Sequence, residues 1–78
     1  MRCDCCGRRK RLFESYEKVE PNINVCVECS TLLYKIRDAE EDGKREETSN
    51  LEYKLKKKMT NKATREFEKW YRAFRNID

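Results

Sequence analysis

The clearest alternation of apolar and polar positions lies near the C-terminal end of the chain. Apolar side chains recur there at intervals of three or four residues between positions 62 and 77, and basic residues fill much of the remaining surface. This spacing predicts an amphipathic helix over 62–77. Its apolar stripe consists of Ala63, Phe67, Trp70, Tyr71, Phe74 and Ile77.

A second stripe follows the same helical period earlier in the chain. Cys29, Leu32, Leu33 and Ile36 occupy positions i, i+3, i+4 and i+7, which predicts a helix over 26–42 with one buried face. Gly43 is a suitable residue to end that helix, because glycine readily adopts the left-handed conformation of a C-terminal cap.

Between these two helices, Leu51, Leu55 and Met59 lie four residues apart and indicate another helix. Ser49 followed by Glu52 has the form of a capping box, so we expect this helix to begin at Asn50, after a polar connector at 44–50. The Thr60-Asn61 pair either caps the last helix or only dents a continuous one.

The pattern over residues 8–25 is that of a β-hairpin. Leu12, Phe13 and Tyr16 are interspersed with charged residues, and residues 23–25 alternate in polarity. The Glu20-Pro21-Asn22 segment is a turn signal that argues against a continuous helix here.

Four cysteines add chemistry to this outline. Cys3 with Cys6, and Cys26 with Cys29, form two C-x-x-C pairs separated by nineteen residues. This spacing is typical of a tetrahedral zinc site. Zinc bound by four thiolates has no open coordination position, so we expect one structural ion that contributes folding energy.

The chain has a fifth cysteine, Cys5, so either Cys5 or Cys6 could be the ligand that pairs with Cys3. Cys6 rather than Cys5 is the expected ligand, because it gives the two-residue gap and places Gly7 directly after the turn. Cys5 is then a small residue on the rim of the turn. A disulfide scaffold is the alternative, but the odd cysteine count and the lack of an apolar leader favour zinc in a reducing, cytoplasmic environment.

Composition explains why a metal matters. Of 78 residues, 44% are charged and 37% are hydrophobic, so the core is small and a metal is expected to supply the missing stability. The net charge of +4 is uneven, with basic ends and an acidic middle, which permits an acidic partner. No stretch has the length of a transmembrane helix, and we expect no membrane partner.

Together these elements predict a small α+β domain stabilised by zinc. A cysteine turn, a hairpin and a helix carrying the second pair describe a treble-clef finger at 1–43, followed by a basic helical tail at 44–78 with one or two helices. The stretch from Cys3 to Ile36 resembles the N-terminal zinc-binding domain of the ClpX unfoldase family. The matching residues are Cys3, Cys6, Gly7, Val25, Cys26, Cys29, Leu32 and Leu33.

The resemblance implies a module that grips protein partners and self-associates, while the unfoldase activity of that family belongs to an ATPase that does not follow here. Gin-type anti-sigma factors show a looser likeness that is limited to the four ligands. Enzyme activity is not expected, since the chain has no histidine and only two glycines.

The main functional hypothesis is a small regulatory module that binds a partner protein. The aromatic stripe either packs on its own core or meets another chain, including a second copy. The expected contacts are Phe67, Trp70, Tyr71 and Phe74, with Arg8, Arg9, Lys10 and Arg11 as electrostatic contacts. The alternative is a nucleic-acid-binding regulator that uses the basic clusters at 8–11 and 54–62.

Overall fold

The computed structural model describes residues 1–75. A two-stranded antiparallel sheet precedes three helices, which confirms the predicted α+β class. Within residues 1–75, no helix combines the length and apolar character needed to cross a membrane. The elements are β1 (Glu17–Glu20), β2 (Ile23–Val25), α1 (Val27–Glu41), α2 (Arg45–Met59) and α3 (Arg65–Arg75).

The hairpin is shorter than the predicted span of 8–25. Glu17 pairs with Val25 and Glu20 pairs with Ile23, with an irregularity in register before Glu20. The chain turns at Pro21, as predicted, because proline already has the backbone angle that the turn requires. Residues 8–16 instead form turns and a single antiparallel bridge between Arg2 and Arg9.

Helix α1 follows the sequence prediction to within about one residue. It ends where Gly43 adopts a φ of 71° and its N–H donates to the carbonyl of Glu40 over 3.1 Å. The N–H of Lys44 donates to the carbonyl of Ala39 over 2.9 Å, which completes the Schellman pattern of a glycine-terminated helix.

Helix α2 begins five residues before the predicted start at Asn50, so the prediction of a polar connector at 44–50 was wrong. Glu46 and Glu47 lie in its first turn, where carboxylates favour the positive end of the helix dipole. The buried Thr48 donates its hydroxyl to the carbonyl of Lys44 over 2.9 Å, which satisfies that hydroxyl inside the helix.

A true break separates α2 from α3. Asn61 has a φ of 60°, a left-handed conformation that asparagine tolerates better than most residues. The cap of α3 is Thr64, whose hydroxyl accepts the N–H of Phe67 over 3.2 Å, rather than the predicted Thr60-Asn61. Ile77, predicted to end the stripe, lies outside the described residues.

One hydrophobic core joins the cysteine region to all three helices, so the units predicted at 1–43 and 44–78 share their buried surface. The Arg75 guanidinium adds polar ties at the edge, to Glu40 over 2.8 Å and to Glu52. The buried apolar residues are Cys3, Cys5, Ile23, Val25, Cys26, Cys29, Leu33, Ile36, Ala39, Leu51, Leu55, Phe67 and Tyr71.

Candidate metal centre

The first cysteine pair lies on a tight turn. The N–H of Gly7 donates to the carbonyl of Cys3 over 2.8 Å, and the N–H of Cys3 donates to the carbonyl of Arg8 over 2.8 Å. Gly7 has a φ of 75°, which a residue with a Cβ atom adopts only at a cost. These bonds bend the chain back on itself, so that the sulfurs of Cys3 and Cys6 can face one point.

The second pair lies at the start of α1. Cys26 is the N-cap residue, with extended backbone angles and no side-chain cap bond, and Cys29 lies in the first turn. Both residues are buried. The free N–H groups and the dipole of a helix N-terminus favour anionic sulfur at this position.

The fold brings all four predicted ligand sulfurs together, within 4.8 Å of one another. The Cys6 and Cys26 sulfurs lie 3.7 Å apart. Four sulfurs placed tetrahedrally at about 2.3 Å from zinc would be about 3.8 Å apart, so the arrangement is of the right size for such an ion. A metal ion can therefore be held here with little rearrangement.

Backbone N–H groups favour negative charge at this cluster. The N–H of Cys6 points to the sulfur of Cys3 over 3.4 Å, and the N–H of Cys26 points to the same atom over 3.3 Å. With a hydrogen bond from the Cys29 thiol as the largest cause, they lower the pKa of Cys3 to about 4. Burial raises the pKa of Cys6 to about 11, and the Cys3 hydrogen bond raises that of Cys29. A divalent cation bound among the four sulfurs would favour the thiolate form of all four cysteines.

Cys5 does not lie on the rim of the turn as predicted. Its exposed fraction is 0%, and it belongs to the core rather than to the group of four sulfurs. After the hydrogen bond with Cys3, a hydrogen bond between the Cys5 and Cys29 thiols contributes to the raised pKa of Cys29. The general tendency of free cysteine to be buried was the available signal for this position.

Asp4 is a structural residue that the sequence did not single out. Its N–H donates to the carbonyl of Asn24 over 2.8 Å, and its Oδ2 accepts the N–H of Asn24 over 2.7 Å. Its carbonyl accepts the N–H of Thr64 over 2.9 Å. One residue thus links the first cysteine turn to β2 and to the start of α3.

The predicted electrostatic contacts divide into two groups. Arg8 is half-buried, forms an ion pair with Glu14, and lies over the ring of Tyr16 at 5.9 Å from its centroid. The pKa of Glu14 is lowered by this guanidinium. Arg9, Lys10 and Arg11 are exposed.

Beside these cations, the loop at 11–14 carries two apolar side chains into solvent. Leu12 is 84% exposed and Phe13 is 96% exposed. The loop has a defined shape, since the carboxylate of Glu14 accepts the N–H of Arg11 over 3.0 Å and also pairs with Arg8. The sequence placed both apolar residues in the hairpin and did not select them as contacts.

The aromatic stripe packs mainly on its own core. Phe67 is 0% exposed and Tyr71 is 5% exposed, so neither of these two predicted contacts can touch a partner without a rearrangement. Their burial is the expected outcome for a stripe on a small domain that needs apolar area. Trp70 and Phe74 remain half-buried, with ring centroids 5.1 Å apart.

Of the predicted basic cluster at 8–11, Arg8 comes close to the predicted basic cluster at 54–62. Arg2 and Arg8 from the cysteine turn face Lys58 and Lys62 from the other cluster, around a depression of about 660 Å³. Lys58 is partly neutralised there by Glu28, at 3.0 Å. The fold therefore forms one basic surface from two stretches that are far apart in sequence.

Comparisons with protein families, with curated proteins and with solved structures found no match to this chain. The resemblance to the ClpX-type domain stays a prediction.

Proposed function

We propose that this chain is a non-enzymatic module in which one structural zinc ion supports a loop that binds a partner protein. The four clustered sulfurs suit zinc in donor type, number and spacing. The order of cysteine turn, hairpin and ligand-bearing helix supports a treble-clef finger. The closed donor set and the absence of histidine from the sequence argue against catalysis at this centre.

The observation that carries the proposal is the 11–14 loop. Single exposed apolar residues are ordinary on protein surfaces, but here Leu12 and Phe13 are adjacent and almost fully solvated. The bonds to Glu14 fix the loop before binding, which lowers the ordering cost that association must overcome. A rigid aromatic anchor of this kind suits a pocket in another protein.

The charges near the loop indicate the chemistry of the pocket. Arg9, Lys10 and Arg11 are exposed and precede the two apolar residues directly. Cations beside an apolar anchor favour a partner whose apolar pocket is bordered by acidic side chains. Such a complex forms faster at low salt, while its lifetime depends mainly on the apolar contact.

Site-specific photo-crosslinking tests this proposal. A photoreactive phenylalanine analogue at position 13 of the zinc-loaded chain is expected to crosslink one protein of defined mass in cells of the source organism. The wild-type chain should compete for that product, and Phe13→Ala should not. The matched position is Tyr53, an exposed aromatic residue on α2. Equal products from both positions, or binding to anionic vesicles that Phe13→Ala abolishes, would contradict a protein partner at the loop.

A second candidate function is nucleic-acid binding, and the basic depression favours it. Arg2, Arg8, Lys58 and Lys62 place cations from both parts of the chain around one depression, where Glu14 pairs with Arg8 and Glu28 pairs with Lys58. The test is binding to random-sequence DNA and RNA across a salt series. Each lost phosphate contact should reduce the log–log salt slope by about 1, so Arg2→Ala with Lys62→Ala should flatten it by about 2. A slope near zero in the wild type rejects this candidate.

A further inference from the structure

A cavity of about 270 Å³ lies between β1, α1 and α3, and none of the four clustered cysteines lines it. Its apolar lining comes from Val19, Leu33, Trp70 and Phe74. The two aromatic rings are stacked at 5.1 Å, so they present a continuous apolar surface. This volume is just below the range of about 300–1,000 Å³ that is typical of small-molecule sites. The cavity therefore suits one ring or one side chain rather than a nucleotide.

Some polar side chains of the cavity already form hydrogen bonds with one another. Glu17 accepts hydrogen bonds from the hydroxyl of Tyr34 over 2.6 Å and from that of Ser30. The Ser30 bond, followed by the Tyr34 bond, lowers the pKa of Glu17, which therefore stays ionised at neutral pH. Both hydroxyls are thus committed to Glu17 and are poor candidates for contacts with a ligand.

Two cations line the same cavity. Within residues 1–75, neither Lys18 nor Arg37 forms an ion pair. With Glu17, they give the lining a formal charge of +1, since two positive groups exceed one negative group by one. An arginine guanidinium is suited to hold a carboxylate through two parallel hydrogen bonds.

We propose that this cavity binds an apolar carboxylate, a single ring or aliphatic group whose carboxylate is held by Arg37 with Lys18 beside it. The ligand is either a free organic acid or the C-terminal residue of another protein, which have the same chemistry. This site is separate from the 11–14 loop, so its test does not depend on the loop's role.

The single tryptophan of the chain lies in the cavity and reports on its occupancy. The experiment titrates the metal-loaded chain with 3-phenylpropionate and follows Trp70 emission. The neutral isostere 3-phenylpropionamide is titrated in parallel. The acid should shift the emission saturably and bind about tenfold more tightly than the amide, because only the acid makes charge-assisted bonds.

Two substitutions on α1 test the role of Arg37. Arg37→Gln should weaken acid binding about tenfold and leave the amide unchanged. Lys35→Gln changes the net charge equally, is exposed on the same helix, and does not line the cavity, so it should bind both ligands as the wild type does. Val19→Phe, which fills the cavity, should abolish binding of both the acid and the amide. Circular dichroism verifies that this variant is folded.

The two ligand sources are separated with the peptide Gly-Ser-Gly-Phe and its C-terminal amide. Tighter binding of the peptide acid than of 3-phenylpropionate indicates a protein C-terminus, and the reverse order indicates a free acid. Equal affinity for acids and amides, an unchanged Arg37→Gln variant, or no saturable change in Trp70 emission would overturn the proposal.

Discussion

The cysteine half of the molecule and its helical half are held together by different means. In the cysteine half, the strands are four and three residues long, and the buried side chains are cysteines with Ile23 and Val25. Its shape depends on turn hydrogen bonds and on the sulfur cluster. In the helical half, aliphatic and aromatic residues such as Leu55 and Phe67 are fully buried.

The comparison shows why we expect the cysteine half to depend on a bound metal ion more than the helical half does. Small thiols bury little apolar area, so desolvation contributes little to the stability of the first 26 residues. Yet Cys5 lies in the same core as Phe67 and Tyr71, and Asp4 is bonded to Thr64. We therefore expect unfolding of one half to destabilise the other.

The largest effect is expected from Cys26→Ser, which removes a ligand of the proposed zinc ion. Structural zinc contributes an apparent free energy of about 10–16 kcal/mol, comparable with the whole stability of a small domain. We expect loss of bound metal, unfolding of residues 1–42 and loss of a cooperative melt in the helices. Metal analysis and circular dichroism measure this, with Cys5→Ala as a variant that keeps one metal per chain. Unchanged metal content and spectra in Cys26→Ser would remove the case for zinc.

The next largest effect is expected from Phe67→Ala in the helical half. Emptying a fully buried phenylalanine site costs about 3–5 kcal/mol, since apolar transfer and the cavity both contribute. Denaturant melts measure the change in free energy of unfolding. Phe13→Ala is the matched control, because a fully solvated ring should change stability by less than about 0.5 kcal/mol. A variant that melts in two steps, with metal retained after the first, would show that the halves unfold separately.

A smaller effect is expected from Asp4→Ala at the junction of the halves. The substitution deprives the half-buried N–H of Asn24 of its acceptor, which costs about 1–3 kcal/mol. Hydrogen exchange at Asn24 should increase along with the fall in melting temperature. Asp38→Ala, an exposed substitution on α1, serves as the control. Equal shifts in both variants would mean that Asp4 adds no specific link.

The smallest effect is expected from Gly43→Ala between α1 and α2. A Cβ atom meets nothing within 4 Å there, so only the left-handed backbone opposes it, at about 1–2 kcal/mol. Gly43→Asn should lose less stability than Gly43→Ala, since asparagine tolerates this conformation. Thermal melts rank the three chains, and an alanine variant as stable as the wild type would exclude a strained cap.

Local signals in the sequence were sufficient to predict much of this fold. The C-x-x-C spacing identified the four sulfurs that cluster, and Pro21 and Gly43 marked a turn and a helix end that the structure confirms. Each of these depends on a backbone geometry that neighbouring residues determine. The predicted start of α2 at Asn50 was wrong. Ser49 fits the pattern of a capping box, but the earlier Glu46 and Glu47 favour a helix start at Arg45.

Features that depend on long-range packing could not be predicted in the same way. The full burial of Cys5 in the core, and the division of the aromatic stripe into buried and half-buried rings, are set by contacts between distant segments. The meeting of Arg2 with Lys62 and the solvation of Phe13 are also tertiary outcomes. Such contacts between distant segments leave no periodic pattern in the sequence of either segment.

The unequal burial of the four sulfurs has a kinetic consequence. Cys3, Cys26 and Cys29 are buried, whereas Cys6 is half-buried and borders the basic depression. If a metal ion is bound as we propose, a chelator would reach it most easily past Cys6, across the depression that Arg2 and Lys62 help to line. The basic side chains of this depression attract anionic chelators but not neutral ones. Because salt screens this attraction, added salt should slow metal removal by an anionic chelator and leave removal by a neutral chelator unchanged.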